Sequence, residues 1–158
     1  MIDKLTPKPM RVSRISLAQM MQPEHANNFG NVHGGWIMKL VDEAGGLACM
    51  RHAQCRVVTV AIDSMVFHHP IKTSDVVILN AEVTYTGKTS IEAEVQVIAE
   101  NPITGQRWHT NTAFFLYVAL DDEGKPTAVP PVFGETLEEE KKLKEARERQ
   151  ARRLEQRK

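Results

Sequence analysis

From Trp36 to Met50 the chain offers a helix almost no polar side, and this constrains the fold more than any other feature. Trp36, Ile37, Met38, Leu40, Val41, Ala44, Leu47, Ala48 and Met50 place apolar groups nearly all round a helix. Such a helix has to be wrapped by other elements. It also carries Asp42 at its middle, and burying an unpaired carboxylate is costly. The residues alone leave two readings of Asp42: a satisfied hydrogen-bonding group, or a group with a chemical task. Lys39 and Glu43, spaced i,i+4, read as an ion pair at the helix edge.

The rest of the chain supplies the wrapping. Apolar alternation and β-branched enrichment predict strands over residues 11–21, 56–67, 76–85, 91–99 and 107–120. Gly-containing turns at Thr86-Gly87-Lys88-Thr89 and Asn101-Pro102-Ile103-Thr104-Gly105 read as hairpins. The expectation is an α+β domain over residues 11–133, with an antiparallel sheet curled around the helix and its last four strands hairpin-joined. One sheet cannot cover every side of so apolar a helix, so a homo-oligomer is predicted. Residues 1–10 read as a loose lead-in. Residues 134–158 read as a charged helical tail, solvated or packed on a partner, with Leu137, Leu143 and Leu154 too sparse for a heptad seam.

Several classes of function are disfavoured. The formal net charge is zero, which removes a global electrostatic case for nucleic acid or an anionic membrane. No run of about 18 apolar residues is present to span a bilayer. The opening residues lack a signal-peptide pattern, and two cysteines, Cys49 and Cys55, fit a reducing compartment, so a cytoplasmic location is expected. The sequence has no H-x-x-x-H or C-x-x-C spacing for a metal, no dinucleotide or P-loop glycines and no G-x-S-x-G elbow. The helix start is more informative. In His33-Gly34-Gly35 the first amides of a helix lack intrahelical partners, and glycines admit close approach. The N–H of Gly34 or Gly35 can therefore receive an oxyanion; a tight turn demanded by packing alone is the other reading.

At this point the chain resembles a known family. Asn27-Asn28-Phe29-Gly30-Asn31-Val32-His33-Gly34-Gly35 followed by Met38-Lys39-Leu40-Val41-Asp42-Glu43-Ala44 is similar to the signature of hotdog-fold acyl-CoA thioesterases, the cytosolic or brain-type group and its bacterial relatives. The likeness extends through Val58-Thr59-Val60-Ala61-Ile62-Asp63, Tyr85-Thr86-Gly87-Lys88-Thr89-Ser90 and Pro130-Pro131-Val132. It implies a curved sheet of five or six strands round a central helix, paired into dimers and often assembled as trimers of dimers. It implies hydrolysis of acyl-CoA to fatty acid and CoA without a metal or organic cofactor, CoA being part of substrate and product. It places the catalytic acid on Asp42, as general base or as nucleophile through an anhydride. The catalytic asparagine falls on Asn27 of the opposite subunit, and the oxyanion amide on Gly35 or Gly34. Thr59 falls near the reacting group, and Lys88, Thr89 and Ser90 fall on coenzyme contacts. Trp36, Met38, Met65 and Phe67 are expected to bound the acyl chain. Two alternatives stay open: a hotdog 3-hydroxyacyl-thioester dehydratase using His33, and a non-catalytic acyl-CoA sensor.

Overall fold

The computed structural model describes residues 3–63 and 65–158. The elements in chain order are β1 (Lys8–Pro9), β2 (Ile15–Met20), α1 (Gly34–Ala53), β3 (Arg56–Ile62), β4 (Val76–Thr86), β5 (Ser90–Glu100), β6 (Arg107–Leu120), β7 (Val132–Phe133) and α2 (Leu137–Glu155). The main sheet is five-stranded in the order β2-β4-β5-β6-β3, antiparallel throughout. This is the α+β arrangement expected, a curled sheet around a central helix. The connectivity differs in one respect. Only β4, β5 and β6 form a hairpin meander; β3 crosses to the far edge and pairs with β6.

Alternation explains the core. Val77, Leu79, Ala81 and Val83 of β4, Ile91, Ala93, Val95 and Val97 of β5, and Ala113, Phe115, Tyr117 and Ala119 of β6 are all buried on the side facing α1. From the helix, Ile37, Leu40, Val41, Ala44, Ala48 and Cys49 meet them. The alanines let helix and sheet approach closely, and each fully buried larger aliphatic contributes about 1.5–3 kcal/mol.

Four expectations need correcting. The first strand is shorter than residues 11–21, because Met10–Ser13 form a 3-10 turn, closed by Ser13 Oγ donating to the Met10 carbonyl, before β2 begins. The strand after α1 ends at Ile62 rather than at residue 67, and Ser64 lies outside the described residues. The lead-in is tied down: β1 pairs in parallel with β7, and Lys8 Nζ donates to the His52 carbonyl at the C-terminus of α1 at 2.7 Å. Finally, α1 is not buried all round in the single chain. Met38, Leu47 and Met50 are each about two-fifths exposed, and Val58, Val60 and Ile62 of edge strand β3 are exposed to a similar degree.

The tail, read as solvated or packed on a partner, packs one face on this chain's own sheet. α2 lies on the outer face of the sheet, burying Leu143 and Ala146. Thr136 caps it by accepting from the Glu139 N–H at 3.1 Å, while Glu139 reaches back to the Glu135 N–H. Ion pairs then fasten it. Lys142 Nζ meets Glu82 at 2.6 Å and Glu94 at 3.1 Å, Arg149 meets Glu92 at 2.7 Å, and Arg153 bridges Glu92 and Asp63. Arg14 joins Glu82 to Glu139 from below. β5 alternates apolar and polar residues, yet it is covered on both faces, with Glu92 fully buried. Burial alone would push the Lys142 ammonium down, but Glu82 and Glu94 hold it above the usual lysine range.

Candidate active site

The loop before α1 is built by Asn27. Its Oδ1 accepts from the N–H groups of Phe29 at 2.8 Å and Asn31 at 3.3 Å, and its own N–H donates to the Asn31 carbonyl at 2.7 Å. Gly30, at φ +81°, supplies the left-handed turn this tight hairpin needs. The loop is stitched to the chain at Ile71, whose carbonyl accepts from the Val32 N–H. Asn27 is thus half-buried and fixed, and its side-chain amide N–H groups have no partner among the described residues.

His33 caps α1. Its Nδ1 accepts from the Gly35 N–H at 2.9 Å, so that amide is already engaged. The Gly34 N–H has no partner among the described residues. Of the two amides the sequence nominated, Gly34 is the one left open, with the Phe67 ring beside it.

Two helical turns on, Asp42 is half-buried and lines a cleft of about 480 Å³. Thr59 Oγ1 donates to Asp42 Oδ1 at 2.6 Å. The Tyr117 hydroxyl donates to the Asp42 carbonyl at 2.9 Å and lies 3.2 Å from Oδ1. Oδ2 has no hydrogen-bond partner among the described residues. Burial, and next the Asp42 charge, push the Tyr117 phenol far above the usual tyrosine range, so it stays protonated as a donor. Register sets this trio: Thr59 is opposite Tyr117 in the β3–β6 ladder, so both face α1, and a bulge at Val60 follows directly.

Tyr117 is the member that sequence reasoning missed. In β6 it shares a face with Ala113, Phe115 and Ala119 and reads as core. The available signal was its hydroxyl, since a buried phenol needs a hydrogen-bond partner and α1 holds one carboxylate at the right depth. Gly45 makes room for it. A methyl at Gly45 would stand 2.5 Å from the Tyr117 hydroxyl, whereas one at Gly46 would meet only the ring edge at 3.7 Å. Alanine in place of a mid-helix glycine gains about 1 kcal/mol, and a clash of this kind costs about 1–3 kcal/mol. Gly45→Ala is therefore expected to lower the melting temperature and Gly46→Ala to raise it, as read by thermal unfolding followed by circular dichroism.

Other nominated residues are placed elsewhere. Lys88, Thr89 and Ser90 form the β4–β5 hairpin near the C-terminal end of α1: the Lys88 carbonyl accepts from Val129 N–H, next to Pro130, whose own carbonyl contacts the His52 ring. None of the three lines the Asp42 cleft. Trp36 stacks on His25 at 4.1 Å, under Lys39, which pairs with Glu43 at 2.7 Å as expected. Among the described residues no three His, Cys, Asp or Glu side chains converge as a metal set, and no helix is long and apolar enough to cross a membrane.

Comparison with known proteins adds the following. A sequence model of the Thioesterase superfamily matches residues 29–106. The chain is 37% identical over 149 residues to the cytosolic acyl coenzyme A thioester hydrolase of Rattus norvegicus, which takes in 92% of this chain and 39% of that enzyme. The chain thus spans about two-fifths of the length of the mammalian relatives it matches. Among solved structures, an apo-hexameric acyl-CoA thioesterase superposes with a TM-score of 0.91 at 35% identity, covering 96% of this chain and 97% of that one. An acyl-CoA hydrolase from Staphylococcus aureus, solved with butyryl-CoA, CoA and CoA disulfide, superposes with a TM-score of 0.88 at 34% identity, covering 96% of this chain and 92% of that one. Variants of that enzyme with one aspartate, one asparagine or one threonine replaced by alanine are similar too.

Proposed function

This chain belongs to the thioesterase superfamily, and from that premise we propose that it hydrolyses acyl-CoA to a free fatty acid and CoA, with Asp42 as general base. The observation that carries the reading is the division of labour on the Asp42 carboxylate. Thr59 and Tyr117 occupy one oxygen and leave the other, beside an open cleft, with no partner among the described residues. A carboxylate fixed in that way can take a proton from water as the water attacks. A thioester needs little more, because its thiol leaving group ionises near pH 8.5 and requires no strong general acid.

The remaining parts lie beyond a single chain's cleft. Asn27 and the open Gly34 amide sit at the start of α1, roughly 10 Å or more along the axis from Asp42. A second copy covering the exposed apolar residues of α1 and edge strand β3 would bring its own Asn27 and helix start to this Asp42, giving two complete sites per dimer. The partner's Asn27 then positions the water, and its Gly34 amide, which His33 leaves open, receives the oxyanion. Lys88, Thr89 and Ser90 stand as coenzyme contacts from a neighbouring subunit, and hexameric relatives support a trimer of dimers. The substitutions studied in the Staphylococcus aureus enzyme are of the same residue types as Asp42, Asn27 and Thr59, which supports the choice. The similarity to a cytosolic enzyme supports a cytoplasmic location.

A dehydratase would need His33 as a base, and its Nδ1 is engaged in capping α1. The test is release of free thiol from butyryl-CoA and palmitoyl-CoA, followed with a thiol-reactive dye. Turnover of either supports hydrolysis. Double-bond formation from a 3-hydroxyacyl-CoA, or tight CoA binding without thiol release, would refute it.

A further inference from the structure

Edge strand β3 carries Thr59, and little packing of its own holds it in place. It pairs only with β6, and Arg56, Val58, Thr59, Val60 and Ile62 are all exposed, leaving Val57 and Ala61 to pack inward. The bulge at Val60 breaks the ladder just after Thr59: Thr59 stands opposite Tyr117, while Ala61 stands opposite Leu116. In a strand held this weakly, a slip of one residue turns every side chain to the other face. Thr59 would then leave Asp42.

Both ends of β3 are tied down by arginines. At the start, the Arg56 guanidinium donates to the carbonyls of Asp121 at 3.0 Å and Asp122 at 2.9 Å. Just past the other end, the Asp63 N–H donates to the Phe114 carbonyl at 3.0 Å. The Asp63 carboxylate accepts both arms of the Arg153 fork, Nε on Oδ1 and Nη2 on Oδ2, each at 3.0 Å. Arg153 belongs to α2, 90 residues away, and Arg149 one turn earlier lies over the Phe114 ring at 3.6 Å. The last turns of α2 thus grip the β3–β6 pair from the outer face of the sheet. On the inner face Thr59 Oγ1 reaches Asp42 at 2.6 Å.

Resting on the thioesterase reading, we propose that Asp63 is a positioning residue for hydrolysis: clamped by Arg153, it fixes the register of β3 beyond the bulge and so keeps the Thr59 hydroxyl on Asp42. A role in stability alone fits the pair less well. Asp63 is about a quarter exposed, and ion pairs placed in that way contribute little to folding. A two-armed bond fixes direction as well as distance, which is what a bulged edge strand lacks. Misplacing a group in a reacting site by about 1 Å can cost about a hundredfold in rate. On this account α2 helps to orient the acid, although none of its side chains lines the Asp42 cleft.

Asp63→Ala is the variant to make, because Arg153 and Arg149 keep Glu92 and the carboxylate buried there stays neutralised. It is compared with wild type, with Thr59→Val and with the double variant. On butyryl-CoA, Asp63→Ala is expected to lower kcat about tenfold while KM stays within about twofold of wild type. In the Thr59→Val background the same substitution is expected to change kcat by less than about twofold, since the group it positions is already gone. Hydrogen exchange followed by mass spectrometry is expected to quicken about tenfold or more in β3 while β5 keeps its rates. An unchanged kcat in Asp63→Ala overturns the proposal, and so does a loss that persists undiminished beside Thr59→Val. Unaltered exchange in β3 overturns it independently of turnover. A wild-type protein that releases no thiol removes the hydrolase reading instead, and the exchange rates then decide by themselves whether Asp63 holds β3.

Discussion

Asp42→Asn lowers kcat on an acyl-CoA by about 10²–10⁴-fold, the share of a general base, while KM and the melting temperature stay close to wild type. That loss corresponds to about 3–5 kcal/mol of transition-state stabilisation. The amide keeps the volume of the carboxylate, and its carbonyl oxygen can still accept from Thr59 and Tyr117, so the fold is not disturbed. What disappears is the capacity to take a proton. Steady-state kinetics beside a thermal melt decide the matter. A kcat within threefold of wild type, with the melt unchanged, removes Asp42 from the chemistry.

Removing both guanidinium groups that face Glu92, by Arg149→Met with Arg153→Met, is expected to destabilise the protein by about 3–5 kcal/mol. An ionised carboxylate is then left buried without a countercharge. For a chain of this size that is a fall in melting temperature of roughly 10 °C. Glu92 is fully buried and would retain only the Thr84 hydroxyl, at 2.7 Å. Adding Glu92→Gln to the pair is expected to restore most of the loss, because the uncompensated charge is gone. A triple variant as unstable as the double would show that lost packing, not charge, was responsible. Acid attacks the same seam through Glu82. Burial raises its carboxyl, but Lys142 and Arg14 outweigh that and hold it below its ordinary 4.5. The stabilisation is therefore complete above about pH 4.5 and drains away as pH falls through the lowered value.

How much of this was legible beforehand follows from the range of each interaction. The central helix and the strands around it are written in local periodicity, and Asp42 stands out as a carboxylate where burial was expected. The Lys39–Glu43 pair is likewise local. Thr59 entered through family resemblance alone, and Tyr117 not at all. Tyr117 lies 75 residues from Asp42, and the contact is made only when β6 packs against α1. The docking of α2 was hidden for a different reason. Glu82, Glu92 and Glu94 alternate with apolar residues and look like a wet sheet face, while Lys142, Arg149 and Arg153 look like a wet helix. Each half gave the other's reason for being in water, and only three-dimensional placement shows them neutralising one another. The engagement of the Gly35 amide by His33 was similarly invisible, since a histidine is an unusual choice of cap.

The sheet that results has two sides obeying opposite rules. Toward α1, alanines and branched aliphatics fit by volume, so a change of one methylene is felt, and Thr59 and Tyr117 are polar there because Asp42 receives them. Toward α2, recognition is by sign: swapping glutamate for glutamine, nearly equal in size, alters the seam more than trimming a carbon. The substitutions such a sheet tolerates are accordingly expected to conserve bulk at one residue and charge at the next.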